Sequence, residues 1–422
     1  MNECKKDVLA GLDIGSNKIV CLIGFTNSDG KLYIKGISHR ESRGIKNGEI
    51  IDIKELTYSI IKAIDMAEKM AGVNVENIIV NVCNSNVNSN LSTIEKIFSN
   101  KTITKNDLMK LASSLEEKVK ENKKEILHLI PIKYVADEHE VENPFEMKID
   151  KFKVSFNSVV VDKVKLDNLR LCLEKTPLKI TKFVYDAYMS AISCATEDEM
   201  EDGCIVIDIG SANTSFAIME DGVFKYGSSM RVGGDNITSD IAKYFNLQFD
   251  VAEKIKVVNV DLTLTKREEN DFIRVDIDSD DEYRVAQSKK VVLNDIYRDK
   301  IVRIINLILD FTNRKRFLQN KKNKTVILTG GTCSVAGLDV YISGLIGMKV
   351  RIGEPEFNLV KDGKIDSQRY SVPVYSTSVG MLLYEAKINK NKKLDESQLL
   401  KQETINHKIN LLFSGLIKFF IN

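Results

Sequence analysis

Hydrophobic and polar positions along this chain switch between a period of two and a period of three to four, and the switch recurs in two distant places. Residues 8–39 open with V-L-A-G-L-D-I-G-S, run on through I-V-C-L-I-G-F, turn at T-N-S-D-G and return as K-L-Y-I-K-G-I-S. Residues 204–232 follow the same plan: C-I-V-I-D-I-G-S, S-F-A-I-M, a turn at E-D-G, then V-F-K-Y-G-S-S-M-R-V. Val- and Ile-rich runs broken by D-G predict β-hairpins. Each half therefore begins with a hairpin carrying D-I-G-S.

Helical spacing follows each hairpin. I-K-E-L-T-Y-S-I-I-K-A-I-D-M-A-E-K-M-A-G predicts an amphipathic helix ending at a glycine. G-G-D-N-I-T-S-D-I-A-K-Y-F predicts a second, with Asp, Asn and Thr near its start to cap free N–H groups. N-I-I-V-N-V-C predicts a strand, and a more polar block over 84–165 holds a helix near 105–120 and strands near 126–136 and 152–162. Later, I-V-R-I-I-N-L-I-L-D-F and S-V-G-M-L-L-Y-E-A predict helices, T-V-I-L-T-G-G-T a buried strand with a glycine turn, and 336–355 a strand. The acidic run D-I-D-S-D-D-E at 276–282 predicts a solvated loop. Strands alternating with helices, in two copies, predict an α/β protein of at least two lobes.

Composition narrows the function. The 422 residues are 43% hydrophobic, enough for a large core, and 61 Lys plus Arg balance 60 Asp plus Glu. No net field would hold the chain on nucleic acid. Seven scattered cysteines without C-x-x-C spacing and four unpaired histidines argue against a disulfide framework or a zinc site and favour a reducing cytosol. No signal peptide or membrane-spanning run is evident, so the expectation is a protein neither secreted nor transmembrane.

One D-I-G-S is a weak signal, but two in matching hairpins suit an ATP phosphate chain gripped from both sides. Gly15 and Gly210 let the backbone approach, Ser16 and Thr214 stand in the two loops, and Asp13 and Asp208 can orient water on Mg²⁺. Lys18 is placed to meet a phosphate as a point charge. L-T-G-G-T at 328–332 ends a strand in Gly330, Gly331 and Thr332, against which a purine nucleoside could lie. Glu253 and Lys256 share a helix face, suited to ribose and base. Gly233 and Gly234 open the helix after the second hairpin. Neither G-x-x-x-x-G-K-[ST] nor G-x-G-x-x-G occurs where a strand meets a helix.

These segments, with the helix V-Y-D-A-Y-M-S-A-I between them, resemble the phosphate 1, phosphate 2, adenosine and connect 1 motifs of the actin, Hsp70 and sugar-kinase superfamily. Within it the chain most resembles the FtsA family of bacterial cell-division actin homologues, through G-I-K-N-G-E-I-I-D (44–52), E-I-L-H-L-I-P-I-K-Y-V (125–135), N-P-F-E-M (143–147), M-R-V-G-G-D-N-I-T-S-D-I-A (230–242) and Y-S-T-S-V-G-M-L-L-Y (375–384). The resemblance implies an actin-like fold of two RNase H-like lobes around a nucleotide cleft. Its subdomains would be 1A over 1–83 and 166–200, an inserted 1C over 84–165, 2A over 201–245 and 304–386, and 2B over 246–303. A polar linker over 387–403 and an amphipathic helix over 404–422 would follow.

It also implies ATP-linked self-association, other divisome partners, and binding of the C-terminal tail of the tubulin homologue FtsZ, with Lys289, Lys290, Arg298, Lys300 and Arg303 as candidate contacts. Two departures bear on chemistry. Ser211, Ala212, Asn213, Thr214 and Ser215 stand where the family has glycines and then Thr-Thr-Asp, and Asp186 replaces a Glu that would orient the attacking water in bacterial actins. A catalytic group misplaced by about 1 Å costs on the order of a hundredfold, so nucleotide binding with at most weak hydrolysis is expected.

At 100° per residue the last segment groups Ile405, Ile409, Leu412, Phe413, Leu416, Phe419 and Phe420 opposite His407, Asn410, Ser414 and Lys418. A terminal apolar stripe carrying phenylalanines behind a charged linker predicts a helix lying in a membrane surface. The expected role is an adaptor tethering the FtsZ ring to the cytoplasmic face of the membrane at the division site. The alternatives are a small-molecule kinase of the same superfamily and a pilus-assembly actin-like adaptor.

Overall fold

The computed structural model describes residues 8–82, 86–264, 266–268, 272–277, 284–314, 317, 324–361, 363–366 and 372–399. Strands β1 (Leu9–Ile14), β2 (Lys18–Thr26) and β3 (Leu32–Glu41) form the first antiparallel hairpins. A small hairpin, β4 (Ile45–Lys46) and β5 (Glu49–Ile50), leads into helix α1 (Ile53–Ala71). Helix α1 starts where the Asp52 carboxylate accepts the N–H groups of Lys54 and Glu55, and stops at Gly72, whose φ of 67° suits glycine. Leu56, Ile60, Ala63, Ile64 and Ala67 bury its inner face at three- and four-residue spacing. Strand β6 (Asn77–Val82) then pairs parallel to β1.

The polar block forms a unit with a core of its own: β7 (Asn88–Thr102), α2 (Lys105–Glu121), β8 (Lys124–Ala136), β9 (His139–Val141) and β10 (Lys148–Asp162). A reciprocal cap between Thr104 and Asp107 starts α2. Leu108, Leu111 and Leu115 pack it on Phe152, Val154 and Phe156 of the sheet. The chain returns through α3 (Lys163–Leu173) and β11 (Lys179–Tyr185), the latter parallel to β6, and crosses over by α4 (Asp186–Cys194) and α5 (Glu197–Asp202).

The second lobe repeats the first. Strands β12 (Cys204–Ile209), β13 (Thr214–Glu220) and β14 (Val223–Met230) are antiparallel neighbours, followed by α6 (Gly234–Phe245) and α7 (Phe249–Asn259). Next come the pair β15 (Phe272–Ile277) and β16 (Arg284–Lys289), then α8 (Lys290–Arg314), β17 (Thr325–Thr329), α9 (Leu338–Ile346) and β18 (Lys349–Ile352). The order β18-β17-β12-β13-β14 matches β11-β6-β1-β2-β3 strand for strand. The duplication read from D-I-G-S is thus a duplicated five-stranded sheet. Strand β14 also meets β7, at Ser228 opposite Asn88, so the inserted layer extends the second-lobe sheet to nine strands.

Four expectations are corrected. Residues 336–355 are not one strand: α9 is capped by Gly347 at φ 65°, and only Lys349–Ile352 is extended. Strands β19 (Asn358–Lys361) and β20 (Lys364–Asp366) join the edge of the first-lobe sheet beside β3, and α10 (Ser376–Leu399) packs over it. Phe357, Leu359, Val379 and Leu382 share a core with Leu9, Val20, Leu22 and Ile34, so the second lobe does not reach 386. Helix α10 also continues into the predicted linker as far as Leu399, anchored by buried Ile388. Asp276 and Ile277 end strand β15 rather than lying in a loop. Residues 400–422, and with them the stripe from Ile405 to Phe420, lie outside the described residues.

Candidate functional site

The two D-I-G-S turns face each other across one cleft. In the first, the Gly15 N–H donates to the Lys18 carbonyl at 2.9 Å; in the second, the Gly210 N–H donates to the Asn213 carbonyl at 3.0 Å. The same backbone bond at matching positions gives two equivalent turns. Asp13, Gly15, Ser16 and Lys18 line the cleft from one lobe and Asp208, Gly210, Glu253, Lys256, Gly330, Gly331 and Thr332 from the other, with Asp186 at its floor.

The glycines are required by packing. Gly330 has φ +89°, and a Cβ there would stand 2.4 Å from Asp208 Oδ1. Gly233 and Gly234 lie just behind the cleft wall. A Cβ on Gly233 would meet the Ser211 carbonyl at 2.5 Å, and one on Gly234 the Thr332 hydroxyl at the same distance. The Gly234 and Asp235 N–H groups donate to the carbonyls of Gly210 (2.9 Å) and Ser211 (2.7 Å), and the Thr332 hydroxyl donates to Gly210 (2.9 Å). These residues shape the second turn from behind. At the start of α6, Asn236 accepts the Gly233 N–H, whereas the Thr238 hydroxyl donates to the Gly234 carbonyl.

Thr214 does not face the cleft. It is fully buried, and its hydroxyl donates to the Val232 carbonyl at 2.7 Å. Asn213 and Ser215 line the cleft instead, because successive strand residues point to opposite faces. Glu253 and Lys256 are joined at 2.6 Å, and the Lys256 ammonium also donates to the Thr238 hydroxyl and the Gly234 carbonyl. The pair therefore braces α7 against α6 at the cleft wall.

Three carboxylates converge on one floor. Burial pushes the Asp13 carboxyl up to about 7, with Lys18 opposing the shift and Asp208 adding to it. Burial also pushes Asp186 up to about 7, with Asp208 adding, and raises Asp208. The same desolvation lowers Lys18. Such a floor is short of positive charge and suits a cation.

Residues outside the two turns hold the floor carboxyls in place. Asn81 bonds to Asp13 at 2.7 Å, Ser190 to Asp208 at 2.7 Å, and Thr377 to Asp208 at 3.2 Å. The β4–β5 hairpin reaches the turns as well: the Gly48 N–H donates to Ser16 Oγ at 2.9 Å, and a Cβ on Gly48 would lie 2.3 Å from the Asn213 carboxamide.

The basic residues proposed for a partner separate. Lys300 and Arg303 line a shallow cavity between α6 and α8 with Asp240, Lys243 and Tyr244. Arg298 turns away to Asp295 and the Tyr341 ring. Lys290 begins α8, and the Lys289 side chain is outside the described residues.

Two duplicated sheets gripping a shared cleft through paired turns define an actin-like fold. Solved structures agree: the PilM–PilN type IV pilus biogenesis complex matches at TM-score 0.61 and 13% identity over 90% of this chain and 98% of that one. MreB5 of Spiroplasma citri bound to ADP matches at 0.55 and 14% over 92% and 98%. The family description "Cell division protein FtsA" matches residues 205–380, and "SHS2 domain inserted in FTSA" matches 84–160. Cell division protein FtsA of Agrobacterium fabrum is 30% identical over 396 residues, 91% of this chain and 88% of its own length. The Pseudomonas aeruginosa protein of that name is 27% identical, with 89% of each covered. The chain belongs to the FtsA family of cell division proteins.

Proposed function

We propose that the protein binds ATP with Mg²⁺ in this cleft, self-associates, and tethers the FtsZ ring to the cytoplasmic face of the membrane through residues 404–422. The observation that carries the nucleotide reading is the pair of matched turns, Gly15–Lys18 and Gly210–Asn213, with Asp13, Asp208 and Lys18 between them. Amides at two glycine turns and one lysine suit phosphate oxygens, and the carboxylate floor suits a hydrated Mg²⁺. Bound Mg²⁺ would supply the positive charge this floor lacks. Lys18 offsets negative charge from the first loop. Gly331, Thr332 and Val257 line the side of the cleft where the nucleoside would lie, beside the braced Glu253–Lys256 pair. Asp186 faces the same space, but its Oδ1 accepts the Ala187 N–H at 2.7 Å. An engaged, short carboxyl supports weak hydrolysis at most.

The cavity lined by Lys243, Lys300, Arg303 and the 63%-exposed Tyr244, together with Asp240 and Asp299, is the place we assign to the FtsZ tail: a peptide carboxylate there would compete with Asp240 for Lys300, now paired to it at 2.7 Å, and meet Lys243, Arg303 and an aromatic ring. Among the described residues no helix is long and apolar enough to cross a membrane. A surface-lying terminal helix is compatible with that, and self-association would multiply weak anchors into firm attachment.

Co-sedimentation with anionic liposomes tests the reading, using the full chain and a version ending at Leu399, with and without ATP and Mg²⁺. The full chain should pellet, more so with ATP, and the shortened one should stay in solution. Equal behaviour of the two chains would remove the tether.

A further inference from the structure

Asn81 stands near the end of β6, and the parallel register that sets Leu12 opposite Val80 brings it beside Asp13. It is 1% exposed. Its Oδ1 accepts the Ile14 N–H at 2.7 Å, and its Nδ2 donates to Asp13 Oδ1 at 2.7 Å. The first bond settles the second: a backbone N–H can only donate, so the carboxamide oxygen faces it and the nitrogen must face the carboxylate. The side chain is pinned at both ends.

Asp208, the counterpart of Asp13, is held differently. Its Oδ2 accepts from the hydroxyls of Ser190 and Thr377, and those two hydroxyls also lie 2.9 Å from each other. A hydroxyl can rotate its donor to another acceptor; the pinned carboxamide cannot. Among the described residues, the other oxygen of Asp13 accepts one long contact, 3.4 Å, from the Ser378 hydroxyl. So one floor carboxylate is locked by one oxygen and leaves the other available, while its twin sits in an adjustable hydroxyl network.

We propose that Asn81 is a positioning residue that locks Asp13 with Oδ2 presented to the cleft, as a preset acceptor for the water shell of Mg²⁺. The proposal rests on the nucleotide reading above. It makes the Asp13 side of the floor the rigid half of the cation site and the Asp208 side the half that adapts. Asn81 does not touch the nucleotide; its effect passes through Asp13 and therefore through the metal.

That route gives a signature that general damage to the fold would not. Affinity for a fluorescent ATP analogue is measured with Mg²⁺ and with EDTA in place of Mg²⁺, for the full chain and for Asn81→Ala and Asn81→Ser, with urea unfolding of each. A lost buried hydrogen bond to a charged group predicts affinity about tenfold to a hundredfold weaker with Mg²⁺. In EDTA both variants should stay within about twofold of the parent. Asn81→Ser keeps a polar atom in the pocket should the alanine variant fail to fold. Equal losses in Mg²⁺ and EDTA, or no loss in Mg²⁺, overturn the proposal while the nucleotide reading stands. A parent chain that binds no nucleotide in either buffer overturns both.

Discussion

Helix α10 crosses α4 at Gly380, and replacing that glycine by alanine tests how tightly the two lobes are joined. A Cβ there would stand 1.9 Å from the Met189 carbonyl oxygen and 2.5 Å from its carbon. Carbon and oxygen rest at about 3.3 Å, so the helices would have to part by about 1.4 Å. The obstacle is helix backbone, which cannot rotate aside. Parting would also stretch the bond from the Ser193 hydroxyl to the Ser376 carbonyl (2.8 Å) and the Ser190–Thr377 hydroxyl pair (2.9 Å). Overpacking costs about 1–3 kcal/mol and two weakened hydrogen bonds about 1–3 kcal/mol together. Alanine in place of glycine within a helix returns about 1 kcal/mol. The net expectation is a loss of about 3 kcal/mol, read as a lower urea midpoint at unchanged slope. Gly344→Ala is the control, because its Cβ would meet nothing within 4 Å of it in α9. That change should stabilise by about 0.5–1 kcal/mol. A Gly380→Ala protein as stable as the parent, beside a Gly344→Ala protein showing its gain, would refute the close crossing.

Two more outcomes follow from the cleft. Asp13 and Asp186 hold protons up to about 7 in the folded chain but only to about 3.9 when unfolded, so the folded state binds more protons between those values. Stability without ligand should therefore fall as pH rises from about 4 to about 7, and millimolar Mg²⁺ should restore more of it at pH 8 than at pH 6 in thermal unfolding. A flat profile over that range would show the floor to be more hydrated than its burial implies. Gly48→Ala places a Cβ 2.3 Å from the Asn213 carboxamide at φ +74°, which should destabilise by about 1–2 kcal/mol. Adding Asn213→Gly should recover the collision but not the backbone strain, and full recovery in urea unfolding would assign the whole loss to sterics.

The parts of the fold legible in the sequence were those where one residue type serves one purpose. D-I-G-S announced both turns because glycine and a carboxylate are needed at the same two steps in each, and α1 announced itself through its stripe and Gly72. Residues 336–355 misled because Val, Tyr and Ile interspersed with glycines look like a strand; Gly344 is tolerated inside α9, and Gly347 stops it. The charged run after 387 looked like a linker, yet Lys, Glu and Leu are good helix formers and α10 continues through them. Thr214 was placed in the site by its position in the motif, but strand alternation turns it inward. Asn81 was missed because it resembles an interruption in an apolar strand. The signal was there: a polar residue near the C-terminal end of a buried parallel strand lies where such sheets place their ligand-facing groups.

The junction of β7 with β14 makes the inserted layer hard to remove. Besides the Ser228–Asn88 pairing, the Gly227 N–H donates to Ser89 (3.0 Å), the Ser229 N–H to the Val87 carbonyl (3.0 Å), and Asn157 to the Lys225 carbonyl (2.8 Å). Without residues 84–160, β14 would become an open rim of unsatisfied amides and carbonyls, the kind of surface on which strands of other molecules stack. A chain trimmed to its two lobes should therefore tend to clump, and that clumping would be easily mistaken for loss of a binding partner. The insertion thus guards the otherwise open edge of the second-lobe sheet.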